Sequence, residues 1–431
     1  MERDLIFACL DGKLEEVKRI LANNSKIDPN TPFRIACSEG QTEIVKLLLN
    51  NKKVDINKGD DEEGQTAFYL ACENGRIEVV KLLFNDKRVD VNKADKVGRT
   101  PFYSACCRSG HIEIVKLLLN DKRIDSNKAT NDDSRTPFHF ACLNGYVEMV
   151  KLLLSDNRVD VNKPENRSER TPFYDACNSG HIEVIKLLLN DNRIDVQKPD
   201  EYGSTPFSTA CYWERMDVIK VLLNDKRVDC NKVDKDGRSP FWIACEKGRI
   251  KAVELLFNDQ RIDITQVNKN GSSPFHSTCY NGHLQIAKLL LNDQRIDVNT
   301  INKIGWTPSI AACYEGRIEI VKFLLVSGKD INLNLKDNEG KTAIERARER
   351  GNEKEKEEWE SQDTFEKRKN NCQQIVELLE AFQKNPNETR KQLCSPGNIL
   401  FYFIFEFSHF IFILFYFLPF LFLILKQNKF F

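Results

Sequence analysis

Apolar residues recur along this chain in two rhythms. In stretches such as Ile182, Val184, Ile185, Leu187, Leu188 and Leu189 they form a wide stripe at helical spacing, with Glu183 and Lys186 left to solvent, which predicts an amphipathic helix. Between such stripes lie segments like NDKRVDVNKADKVGR (85–99), where a short Val-x-Val alternation sits among Asn, Asp and Gly. That composition suits an extended turn or hairpin projecting from a helical layer. A further short helix precedes each stripe. It opens on Thr or Ser followed by Pro or Ala, because the hydroxyl can cap free amides and Pro at the first helical position lacks only a donor that would go unpaired. It closes near Gly40, Gly75, Gly110, Gly145, Gly180, Gly248, Gly282 and Gly316, where a residue free to take positive φ lets the chain reverse.

This arrangement repeats. The leading residue of the triplet falls at Thr31, Thr66, Thr100, Thr136, Thr171, Thr205, Ser239 and Ser273, then more loosely at Thr307 and Thr342, in steps of 34 to 36 residues. The projecting segment absorbs most of the length variation, and the helices usually keep theirs. A period of this size predicts a stack of helix-turn-helix units sharing one continuous core.

Helix, turn, helix and projecting finger, with Thr-Pro opening the first helix, resembles the ankyrin repeat, and the resemblance covers roughly residues 2–382. The family's Thr-Pro-Leu-His becomes Thr-Pro-Phe-x, its Gly-His survives as Gly110-His111, Gly180-His181 and Gly282-His283, and its Ala-Asp-Val-Asn appears as Val89-Asp90-Val91-Asn92. The fourth tetrapeptide position keeps His only as His139 and His276, so the hydrogen bond the resemblance implies must be absent or replaced elsewhere. The implied fold is an all-α ankyrin-repeat solenoid of about eleven repeats. Residues 1–30 read as a capping repeat, 31–341 as about nine repeats, and 342–384 as a last repeat carrying a polar, mixed-charge insert at 353–371, expected as a solvated helical extension or loop. Residues 385–398 follow as a polar linker. The resemblance implies a scaffold that binds a partner protein through fingers and concave inner helices. A membrane-tethered adaptor and a regulatory inhibitor of an enzyme are the alternatives.

Composition narrows the chemistry. Lys plus Arg and Asp plus Glu both number 64, leaving no global field to concentrate nucleic acid. No nucleophile with a base in register and no phosphate-cradling loop occurs, so neither enzymatic turnover nor a small-molecule substrate or cofactor is expected. There are 14 cysteines and no C-x-x-C pair. With a charged start, MERDLIFACLDGKLEE, and no apolar leader, the expected setting is the reducing cytoplasm. Ten of the thiols, from Cys9 through Cys37 and Cys72 to Cys313, share one first-helix position and are expected in the core, about 10 Å apart, too far to share a metal. Arg88, Arg123, Arg158 and their counterparts recur with Asp90, Asp125 and Asp160. These read as finger architecture.

Departures from the period are the more specific signals. After the core Cys, later repeats carry Tyr212 and Trp213, Tyr280, and Tyr314, with Trp242 one turn earlier in its own helix, where early repeats carry Ser38, Glu73 or Asn178. Interfaces draw their binding energy from such residues, so these five are the candidate partner-binding set. Glu214 stands where the reversing Gly belongs. Thr100 to Gly110 is one residue longer than its counterparts, and the doubled Cys106-Cys107 marks the insertion. The spacing predicts an irregularity over 103–109 with one thiol displaced from the core.

Past the linker, 399–425 is dominated by Phe, Ile, Leu and Tyr, and 407–425 holds no formal charge over 19 residues, enough to cross a bilayer core as a helix. A short tail, 426–431, follows. Glu406, His409 and Pro419 interrupt the run, and its composition is also that of translated A/T-rich sequence. Membrane anchor and misjoined exon both stay open.

Overall fold

The computed structural model describes residues 2–24, 26–358 and 360–395. The apolar run 399–425 lies outside them. Among the described residues every regular element is a helix, in eleven antiparallel pairs plus the closing helix Pro386–Leu393, and no helix is long and apolar enough to cross a membrane. The chain divides into two compact units between Pro240 and Phe241.

In the first unit the pairs run from Glu2–Leu10 and Leu14–Asn23 to Pro206–Tyr212 and Met216–Leu223. The hydroxyls of Thr66, Thr100, Thr136, Thr171 and Thr205 cap their helices, each accepting the amide three residues on. Thr31 departs from this. Its helix, Asn30–Glu39, starts at the residue before Thr31 and not the one after, behind Pro29. The triplet Phe of each repeat (Phe33, Phe68, Phe102, Phe138, Phe173, Phe207) and the core Cys are fully buried, which lines one apolar seam through the unit.

The fingers form no strand among the described residues. One backbone bond per finger joins each to the one before: Lys96 N to Glu63 O at 2.8 Å, Asn131 N to Val97 O at 2.8 Å, Lys235 N to Tyr202 O at 2.9 Å. Side chains add two ladders. The Asn92 amide donates to Arg123 O at 2.6 Å and accepts from Asp125 N at 3.0 Å, and Asn127 and Asn162 repeat this one and two repeats on. Arg123, Arg158, Arg193 and Arg227 each reach back to a carbonyl at the end of the preceding second helix, at 2.6 to 3.1 Å. The Arg and Asp series is finger architecture.

The extra residue at Cys106-Cys107 is absorbed in the turn. The first helix stops at Cys106, and His111 N bonds Arg108 O at 3.1 Å. Elsewhere the equivalent amide reaches five residues back, as His181 N does to Ala176 O. Gly110 therefore has no need of positive φ and lacks it. Cys106 keeps the core slot, and Cys107 is half-buried.

The second unit contains Ile250–Phe257, Pro274–Asn281 with Leu284–Leu291, Pro308–Tyr314 with Ile318–Val326, and the closing pair Ala343–Gly351 with Gln362–Lys384. Most of the polar insert is exposed, and its second half is helical, but Glu360, Phe365 and Arg368 are buried. Ser361 caps the 23-residue helix. Asn371 and Cys372 donate to Gly316 O and Cys313 O at 3.0 and 3.5 Å, and Arg390 to Leu325 O at 2.9 Å. These bonds seat the last helices on the repeat before them.

Candidate partner-binding surface

At most reversals between helices, the residue after the turn reaches the preceding repeat. Arg76 donates to Ser38 O at 2.7 Å and Arg317 to Tyr280 O at 2.8 Å, while the rings of His181 and His283 meet Leu143 O and Glu246 O at 2.8 and 2.9 Å. Each contacted carbonyl belongs to the residue just after the core Cys. The backbone there is held, and the side chains at that edge project from a fixed frame.

In the first unit this edge carries Tyr212 and Trp213, whose rings meet edge to face at 4.8 Å and 70°. Trp213 is 50% exposed. Glu214 takes φ +55°, one of three non-glycine residues held at positive φ among those described. The reversal forms regardless: Arg215 N still bonds Ala210 O at 2.9 Å. Backbone conformation is kept at a cost in strain, and an aromatic pair is presented beside it.

In the second unit Tyr280 is exposed. Burial of its inner part, and then the Glu315 carboxylate beside it, push its hydroxyl up to about 12. Tyr314, one repeat on, is half-buried. Its ring lies 4.7 Å from Trp306 and the Arg350 guanidinium covers it at 4.5 Å. Arg350 in turn pairs with Glu353 and Glu357 at 2.6 and 2.8 Å, so the closing repeat already occupies much of the Tyr314 face.

Trp242 sits differently. It is 6% exposed and its indole N–H donates to Ser272 O at 2.9 Å. His276 reaches Trp306 O at 3.0 Å, and His139 reaches Arg170 O at 3.3 Å. All three acceptors immediately precede the next repeat's capping Thr or Ser, and all three donors occupy the fourth tetrapeptide position. Trp242 is therefore an inter-repeat tie in place of His, a role its position directly after the triplet already signals. Tyr174 fills the same slot and donates to Asp200 Oδ2 at 2.9 Å.

Trp306, which its position before Thr307 makes a finger residue, joins the aromatic group only through the fold. The titratable core groups are poor chemistry. Burial pushes the Cys107 thiol up to about 12 and the His139 imidazole down to about 4, and no trio of His, Cys, Asp or Glu among the described residues is arranged to hold a metal.

The profile of the family described as ankyrin repeats (3 copies) matches residues 5–95, 87–165, 161–234, 217–302, 261–337 and 295–354. No curated protein matches the chain.

Proposed function

We propose, from the premise that the chain belongs to the ankyrin-repeat family, whose arrays serve as protein–protein interaction scaffolds, that it is an adaptor gripping a partner protein through the edge after the core cysteines, with binding and not turnover as its mechanism. The Tyr212–Trp213 pair, half-buried at Tyr212 and exposed at Trp213, carries this reading. An edge-to-face aromatic pair on an ordered backbone offers large contact area with little side-chain entropy left to lose. Within the second unit, taken by itself, Tyr280 offers an anchor and Tyr314 only its free edge, while Trp242 supports the scaffold from within.

Proximity labelling in the native cell tests this. Changing Trp213 to Ala should remove specific partners, and affinity for a captured partner should fall by about thirtyfold or more, the usual loss at a central aromatic anchor. An unchanged partner list with Trp213→Ala and Tyr280→Ala together overturns the reading. The uncharged run 407–425 favours a second reading, an adaptor tethered by its C-terminal segment; release of the protein from membranes by a carbonate wash would sink it.

A further inference from the structure

Two consecutive fingers of the second unit differ from the others in one coordinated way. Elsewhere a carboxylate organises the fingertip, in two fingers Asp133 or Glu165 and in the rest an Asp at the slot: Asp95 accepts from the amides of Val97 and Arg99 at 3.1 and 2.8 Å and pairs with the Arg99 side chain at 2.7 Å, and Asp234 repeats this with Arg238. Here Asn268 and Asn302 hold the slot. Their carbonyl oxygens accept the same amides, Asn270 and Ser272 at 3.0 and 2.9 Å, Ile304 and Trp306 at 3.1 and 2.9 Å. The loop keeps its shape and loses its negative charge, and like the tips closed by Gln65 and Ser204 it carries no Arg there.

What remains is one charge per fingertip. Over 265–272 and 299–306 the only charged residues are Lys269 and Lys303. Both are exposed, and among the described residues neither has an ion-pair partner. The carboxylates just upstream, Asp263 and Asp297, are turned onto their own loops, accepting from Thr265 N and Asn299 N at 2.9 Å each. Beside the lysines stand Val267, Ile301 and Ile304, exposed by 50%, 61% and 53%. Val267 and Ile301 fill the slot occupied by Ala94 and Pro199 in earlier repeats. Lys303 N bonds Asn270 O at 2.9 Å, so the two tips are fastened side by side.

We infer that these two fingers are a docking strip for an extended acidic peptide segment of a partner protein, one carrying aliphatic residues among Asp or Glu. The inference rests on the scaffold reading and names the chemistry of one contact. Neighbouring repeats lie about 10 Å apart, and an extended polyproline-type segment returns to the same face every three residues, about 9 Å. Aliphatic residues spaced by three would meet Val267 and Ile301 in turn, with acids between them facing Lys269 and Lys303. An anionic membrane fits less well, because each lysine near such a surface contributes about 1 kcal/mol and the strip has two.

The test is selection of a displayed random-peptide library on the full-length protein. Enriched peptides should combine Asp or Glu with aliphatic residues, bind more weakly as salt rises, and lose about tenfold or more in affinity on Ile301→Asp with Ile304→Asp. Lys269→Glu with Lys303→Glu should turn the selection toward basic peptides. Absence of enrichment, enriched peptides without acids, or binding indifferent to these four changes overturns the inference. So does binding to mixed phosphatidylserine–phosphatidylcholine vesicles that the same variants abolish while peptide binding stays intact. Trp213→Ala separates the two proposals: lost cellular partners with no acidic-peptide selection leaves the scaffold reading standing and removes this one.

Discussion

In the interior repeats between Ala67 and Leu223, side chains of one repeat bond the backbone of its neighbour; in the closing pair, Ala343–Gly351 and Gln362–Lys384, side chains bond one another. Asn92, Asn127 and Asn162 each span from their own finger to the next by paired amide bonds. The closing pair has no following finger to receive such a bond. It is held by Arg368 to Glu360 at 2.6 Å and to Glu353 at 3.1 Å, Arg350 to Glu353 at 2.6 Å, and Arg346 to Asp337 at 2.6 Å. Backbone is present at every repeat regardless of sequence, so a single Asn suffices there. The end borrows backbone only from the repeat before it, at Gly316 O and Cys313 O; within the pair it must supply both partners of each bond, and when these are charged and buried the loss of one strands the other.

The comparison breaks most visibly at Arg368. Changing it to Met leaves the buried Glu360 carboxylate unpaired, and urea unfolding followed at the closing repeat should show a loss of about 3 kcal/mol or more. Removing both charges, Arg368→Met with Glu360→Leu, should recover much of it. Asn127→Ala in the interior should cost less, about 1–2 kcal/mol. Equal losses would erase the distinction between end and interior.

Asp175 is an interior exception. It is buried with Oδ2 lacking a hydrogen-bond partner, and burial raises its pKa to about 6, with Arg135 and Arg170 opposing. A carboxyl raised in the folded state gives a contribution that is whole below its unfolded value near 4 and is lost as pH rises through 6. Asp175→Asn should therefore raise stability at pH 8 by up to about 3 kcal/mol and by little at pH 4; a pH-independent difference would rule out this origin.

Smaller effects sharpen the interior picture. Trp242→Phe keeps the ring and removes the donor to Ser272 O, for a loss of about 1 kcal/mol, while Trp242→His, restoring a donor in the slot used by His276, should lose less. Thermal melts of the three proteins decide it. Least of all, Glu214→Gly should relieve the positive φ and stabilise by about 0.5–1 kcal/mol, leaving Trp213 exposed.

Much of this was legible in the residues. Thr-Pro marked the capped starts, because a capping hydroxyl and a fixed φ act locally. The ten recurring thiols marked the core, and the doubled Cys106-Cys107 marked an irregularity whose core thiol and displaced thiol are both seen. The insert at 353–371 is mostly exposed, as its charges signal, but the pairing of Glu360 with Arg368 is not legible, because charges are visible in sequence and their partners are not. Trp242 was grouped with the exposed aromatics although it shares its slot with His139 and His276.

By itself the sequence determined the period, the helix pair, the finger and the buried stripe, since these follow from local propensity and spacing. Only the tertiary structure decided which aromatics face outward: Trp213 does, Trp242 does not, and Tyr314 is covered by Arg350. Exposure is a property of what the neighbouring repeat brings alongside, a carbonyl for an indole or a guanidinium for a ring, and that register exists only once the repeats are stacked.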